Sequence, residues 1–152
     1  MNRGARKADV FIDDSLREGF LLRCRQAVER FGIAIHAYAI MRNHYHLLVE
    51  TKREGGLCRG IRHIDASITQ DINRAYDWDG PVWRGRFASA LVTNDAYRQH
   101  LVAYLHLNPV RAGIATSAES ASWTSHSAYL NAEKRPNWLT TEEMLADMEI
   151  GR

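Results

Sequence analysis

The sequence predicts an α+β fold in which amphipathic helices pack on an antiparallel hairpin, and three observations carry that reading. Residues 33–41 and 44–51 form two strand-like runs separated only by Arg42-Asn43, a pattern that makes a hairpin. Apolar residues recur at helical spacing before the pair, at Phe20, Cys24, Ala27, Val28 and Phe31, and after it, at Leu57, Ile61, Ile64, Ile68 and Ile72. With 152 residues, 45% of them hydrophobic and 25% charged, the chain suits one domain that buries most of its apolar surface.

Taken in order, Met1 to Asp14 is polar and carries Arg3, Arg6 and Lys7, and only Val10-Phe11-Ile12 is apolar enough for a short strand or a docking segment. Ser15-Leu16-Arg17-Glu18 reads as a capping box that starts the first helix, and Gly32 closes that helix at the position where a left-handed residue is wanted. Ile33 to Met41 is apolar on both alternating faces, as in an interior strand. His36, alone in that strand, reads as a hydrogen-bonded core histidine. Gly55-Gly56 precedes the second helix, whose other faces hold Arg59, Arg62, His63 and Arg74. Asp77 to Pro81 is turn chemistry. Val82 to Phe87 interleaves aromatics with arginines, and Ala88 to Val92 reads as a further strand. Asn94 or Asp95 caps a third helix that Pro109 stops or kinks. A Ser/Ala-rich loop over 116–122, a short packed segment over 123–130 and an acidic helix opened by a Thr140–Glu143 capping box complete the chain. The division is a main domain over 1–130 and an acidic helical tail over 131–152.

Charge is uneven along this plan. Residues 1–139 hold 19 basic and 14 acidic residues, a net of +5, a bias compatible with a polyanionic partner. Two cysteines are too few for a disulfide framework, and Cys24 falls on the apolar side of a helix. Neither a charged-then-apolar leader nor an apolar run near the ~20 residues of a membrane span is present, so the expectation is a soluble, reduced, intracellular protein with no membrane partner.

Candidate chemistry sits in two places. In Asn43-His44-Tyr45-His46 the histidines project from one face of a strand and Tyr45 from the other, so two imidazoles on adjacent same-face sites can bind one divalent ion. Equally, they can be two histidines on a half-exposed strand. Tyr104 and Asn108 are one helical turn apart on a shared face. Asn108 offers a neutral oxygen suited to Mg²⁺ or Mn²⁺, and His44, His46 and Asn108 make three protein ligands with positions left for phosphate oxygens and water. His100 is a rival third ligand, and His106 points away from that face. Tyr104 can act as a nucleophile only beside something that stabilises phenolate, such as that ion; otherwise it is a core aromatic. Arg59, Arg62, Trp83, Arg84, Arg86 and Arg111 can meet phosphates and stack on bases, although Trp83 and Phe87 can instead face the core.

These residues resemble a known family. Asn2-Arg3-Gly4, Ile35-His36-Ala37-Tyr38, the run Met41 to Glu50, Trp83-Arg84-Gly85-Arg86-Phe87, and Tyr104 with Asn108-Pro109-Val110-Arg111-Ala112-Gly113 are similar, in order and spacing, to single-tyrosine HUH transposases, specifically the REP-associated tyrosine transposases of bacteria. The resemblance spans roughly residues 2–130. It implies a ferredoxin-like (RRM-like) sandwich with helices behind an antiparallel sheet, and metal-dependent cleavage and rejoining of single-stranded DNA next to a REP-like hairpin. Tyr104 would form a 5′-phosphotyrosyl link and free a 3′-hydroxyl, with His44, His46 and Asn108 holding Mg²⁺ or Mn²⁺. Because the link conserves phosphodiester energy, no nucleotide cofactor is needed. A bacterial cytoplasmic location follows, and monomer and dimer both stay open. Two departures stand out: Arg42 replaces the family's usual proline, and the strand that relatives carry ahead of Asn-Arg-Gly is missing, which exposes a sheet edge beside the histidines. The competing readings are a truncated or domesticated, non-cleaving binder of structured single-stranded DNA, and an unrelated metal hydrolase, which needs a further carboxylate or histidine near His44 and His46.

Overall fold

A computed structural model of the protein describes the backbone of residues 1–150 and the side chains of residues 1–146; Asp147, Glu149 and Arg152 of the acidic tail lie outside those side chains. Strands β1 (Asn2–Arg3), β2 (Ile33–Ile40) and β3 (His44–Thr51) form an antiparallel sheet in the order β1-β3-β2. Helices α1 (Asp14–Phe31) and α2 (Gly56–Tyr76) cover one face, and α3 (Asp95–Arg111) and α5 (Glu142–Ile150) lie on the other. The short α4 (His126–Leu130) sits between them in sequence. The α+β sandwich expected from the sequence is present, with its second helical layer supplied by the later elements.

Local chemistry explains most boundaries. Helix α1 starts two residues earlier than the Ser15 capping box would place it: Asp13 is the cap, its carboxylate accepting from the Leu16 amide at 2.9 Å, and the Ser15 hydroxyl donates to the same carboxylate. Gly32 adopts φ 65° and ends the helix as read from the sequence. In the N-terminal segment Gly4 is needed for close approach, since a Cβ there would run into the Ala8 carbonyl oxygen. Val10 and Phe11 dock rather than pair as a strand: both are buried, and both amides donate to the Arg42 carbonyl. Arg42 reaches out to Asp9 at 2.6 Å.

Helix α3 runs through Pro109 and ends at Arg111, three residues beyond the expected stop. A proline this close to the C-terminus forfeits only one intrahelical bond, and the Ala112 amide still reaches the Asn108 carbonyl. Residues 131–146 pack onto the domain rather than trailing from it. Leu139 bridges to Ile35, Thr140 donates its amide to the Ile35 carbonyl, and Met144 is fully buried against α3. The expected Thr140–Glu143 capping box is replaced by Glu142, whose carboxylate accepts from the Thr141 amide.

Strand β1 is only two residues long but continues a wider ladder. Met1 and Ala88 exchange both backbone bonds, Arg84 donates its amide to the Arg3 carbonyl, and Gly4 bridges to Trp83. The segment expected as a strand over Ala88–Val92 is irregular, because beyond Ala88 it has no described residue to pair with. Beneath this ladder the Asp65 carboxylate, half-buried on α2, accepts from the Asn2 amide group and the Tyr45 hydroxyl, each at 2.8 Å. Burial raises the Asp65 pKa while those two donors lower it. Tyr45→Phe removes a donor from a buried carboxylate, so it is expected to destabilise the fold by about 1–3 kcal/mol at pH 7. An Asp with a raised folded pKa loses stability as pH climbs past its unfolded value of about 4. Losing the Tyr45 donor raises that folded pKa further. Chemical denaturation should therefore find the Tyr45→Phe deficit larger at pH 7 than at pH 4.

Candidate active site

The histidine pair owes its placement to the pleat of β3. Tyr45 points into the main core, where its ring lies 4.7 Å from Phe20 and 5.5 Å from Trp83 between centroids. His44 and His46 therefore emerge on the opposite face, their ring centroids 5.1 Å apart. On that face Leu48 packs with Ala37 and Ala39 of β2 and with Val102 and Leu105 of α3. The small alanines leave room for α3 to lie against the sheet. This contact sets Tyr104 beside the strand, its ring edge-on to His46 with centroids 6.1 Å apart. Tyr104 is 41% exposed, so its phenol is open to a ligand. The Arg111 guanidinium covers the ring 5.1 Å from its centroid. A cleft of about 340 Å³ has His46 and Tyr104 in its wall, with Met1, Phe87, Ala88 and Leu101 around them.

The donor set suits a divalent ion. Burial, then His44, the amino terminus and Arg3, push the His46 pKa down to about 4, and burial and Arg3 lower His44. Both rings are thus neutral near pH 7, the form that ligates metal. The Asn43 carboxamide oxygen lies 2.7 Å from His44 Nδ1. An amide oxygen only accepts, so Nδ1 carries the proton and the Nε2 lone pair is left for an ion. Asn43 was legible only as part of a motif, and its orienting role comes from this contact. If the pair holds Mn²⁺, Asn43→Ala is expected to weaken that binding by roughly 10–100-fold, which isothermal titration checks.

The remaining candidates divide. Asn108 is partly buried one turn past Tyr104 on α3, whereas His100 is exposed. His106 is buried away from the site, with Nε2 2.9 Å from the Ser125 hydroxyl. His36 is the core histidine read from the sequence, 3% exposed. Arg84, Arg86 and Arg111 are exposed. Arg59 and Arg62 are exposed too, but project from α2, which covers the face opposite the histidines. Trp83 is a correction: it is 8% exposed, packed on Phe11 and Tyr45, and its indole N–H donates to the Asp65 carbonyl. Its ring is committed to the core and is closed to base stacking.

Residues 2–108 match the family model described as "Transposase IS200 like". The chain is also similar to a solved structure described as a REP-associated tyrosine transposase bound to a REP hairpin, with a TM-score of 0.70 and 16% identity over 93% of this chain and 82% of that one. At that identity the likeness speaks for the fold. No curated protein sequence matches the chain.

Proposed function

The chain belongs to the IS200-like transposase family, and from that premise we propose that it cleaves and rejoins single-stranded DNA beside a hairpin through a 5′-phosphotyrosine on Tyr104. The observation that carries this reading is the approach of Tyr104 to His46, two residues from different elements whose rings come within 6.1 Å. The Tyr104 oxygen attacks the scissile phosphorus, the bond to the 3′ oxygen breaks, and the phenol's proton is released while the departing 3′ oxygen is protonated. Rejoining runs the same exchange backwards with another 3′ end, so no nucleotide is consumed. His44, His46 and Asn108 would hold Mg²⁺ or Mn²⁺, which when bound supplies Lewis-acid polarisation of the phosphate. Arg111 sets a cation 5.1 Å from the Tyr104 ring centroid, where it can meet a phosphate bound at the phenol. A REP-like hairpin is the proposed partner because the structural neighbour carries one.

Incubation with a labelled single strand containing a hairpin and Mg²⁺ or Mn²⁺ tests this directly. The expected product is a denaturant-resistant protein–DNA adduct with a free 3′-hydroxyl fragment. Binding without any adduct would make the chain a non-cleaving binder. Binding should also be salt-sensitive: if four of the exposed arginines meet phosphates, affinity falls roughly 50-fold between 50 and 200 mM salt, as fluorescence anisotropy can follow.

A further inference from the structure

A second cluster of metal-ligating groups lies on the same sheet face, away from the histidine pair. Strand β2 carries a bulge at His36: Ile35 pairs with Val49 and Ala37 with Leu48, so His36 is the extra residue. Bulges re-aim side chains, and this one turns a buried imidazole toward the far end of β3. His36 Nδ1 lies 2.9 Å from the Thr140 carbonyl oxygen, which can only accept, so Nδ1 carries a proton. In the uncharged ring Nε2 is then a lone pair, yet its neighbour at 3.2 Å is another acceptor, Glu50 Oε2. Ligand atoms of His36, Glu50 and Glu143 all lie within 4.8 Å of one another. A buried imidazole nitrogen set against one carboxylate, with a second carboxylate close by, calls for a positive charge among them, either a proton on Nε2 or a bound cation.

We propose that His36, Glu50 and Glu143 form a second divalent-cation site that fastens α5 to the sheet. One imidazole and two carboxylates suit a Mn²⁺ or Zn²⁺ ion. The Thr140 carbonyl plays the outer-shell part that fixes the ring's tautomer and orientation. A cavity of about 570 Å³ opens over the three groups, with Asp95 and Arg98 paired at its rim, and gives water access to the remaining positions. Glu50 follows His46 by four residues on β3, roughly 13 Å along the strand, so one ion cannot serve both sites. The three ligands come from β2, β3 and α5, which makes the ion a clamp across the junction.

The experiment uses the full chain carrying His44→Ala and His46→Ala, which silences the first site. Titration with Mn²⁺ alone, followed by electron paramagnetic resonance, should find one bound ion per chain and a raised melting temperature. Adding Glu50→Gln or Glu143→Gln, both at exposed and isosteric positions, should weaken that binding at least tenfold and cancel the thermal shift. In the otherwise wild-type chain the same two substitutions should leave one ion bound at His44 and His46. The proposal is overturned if the double-histidine variant binds no ion, as it would with His36 simply an imidazolium paired to carboxylates. It is equally overturned if the bound ion ignores both glutamine substitutions. Neither result bears on Tyr104 chemistry, which the adduct assay reads separately.

Discussion

On the proposed chemistry, Tyr104→Phe is expected to eliminate the covalent adduct, a loss of at least about 10³-fold in strand cleavage, while hairpin binding stays within twofold of wild type. The size follows from the role: a nucleophile that forms the intermediate has no substitute when its oxygen is removed. The selectivity follows from the surroundings. Phenylalanine keeps the ring that packs edge-on to His46 and under the Arg111 guanidinium, and the side chain is 41% exposed. Folding stability should therefore change by less than about 0.5 kcal/mol. Denaturing gels of labelled hairpin DNA, with anisotropy on the same samples, separate chemistry from affinity. An adduct on the Phe variant would move the nucleophile elsewhere.

His46→Ala has the second large effect, and its pattern differs from that of Asn43→Ala. His46 is the more buried of the pair, with a pKa lowered to about 4, and its ring lies edge-on to that of Tyr104. If His46 is a ligand as proposed, removing it should take away several kcal/mol of charge stabilisation at the phosphate, again at least about 10³-fold in rate. Raising Mn²⁺ should not recover the lost activity. Asn43→Ala leaves both ligands and only loosens one ring, so it should recover. A His46→Ala chain that cleaves normally at high Mn²⁺ would remove this histidine from the ligand set.

Much of this was legible in the sequence because periodicity reports faces. The period-2 run from His44 to Val49 placed Tyr45 in the core and both imidazoles outside it, and the i, i+4 step from Tyr104 to Asn108 put both on one side of a helix. What sequence could not supply is which neighbour completes each contact. Trp83 alternates with arginines just as a nucleic-acid surface would, but the docking of Phe11 and the Asp65 carbonyl draw it inward. Ala88 to Val92 has strand composition, yet a strand needs a partner ladder, and the pairing stops at Met1. Asp13 outcompetes Ser15 as a cap because a carboxylate accepts from the Leu16 amide where a capping box would have begun two residues later. The orienting bond from Asn43 to His44 depends on a turn geometry that no spacing rule encodes.

The two halves of the candidate active site rest on foundations of unequal size among the described residues. There Tyr45 ties the histidine strand into a cluster of nineteen buried residues, while α3 packs in a separate group of six: Ala37, Ala39, Leu48, Val102, Leu105 and Met144. Among the described residues the phenol-bearing helix thus leans on the smaller core, and regions with few buried apolar contacts are the ones that open most readily. On the proposed chemistry, a DNA end joined to Tyr104 would ride on the element with the smaller apolar footing, while the imidazoles stay on the strand tied into the larger one.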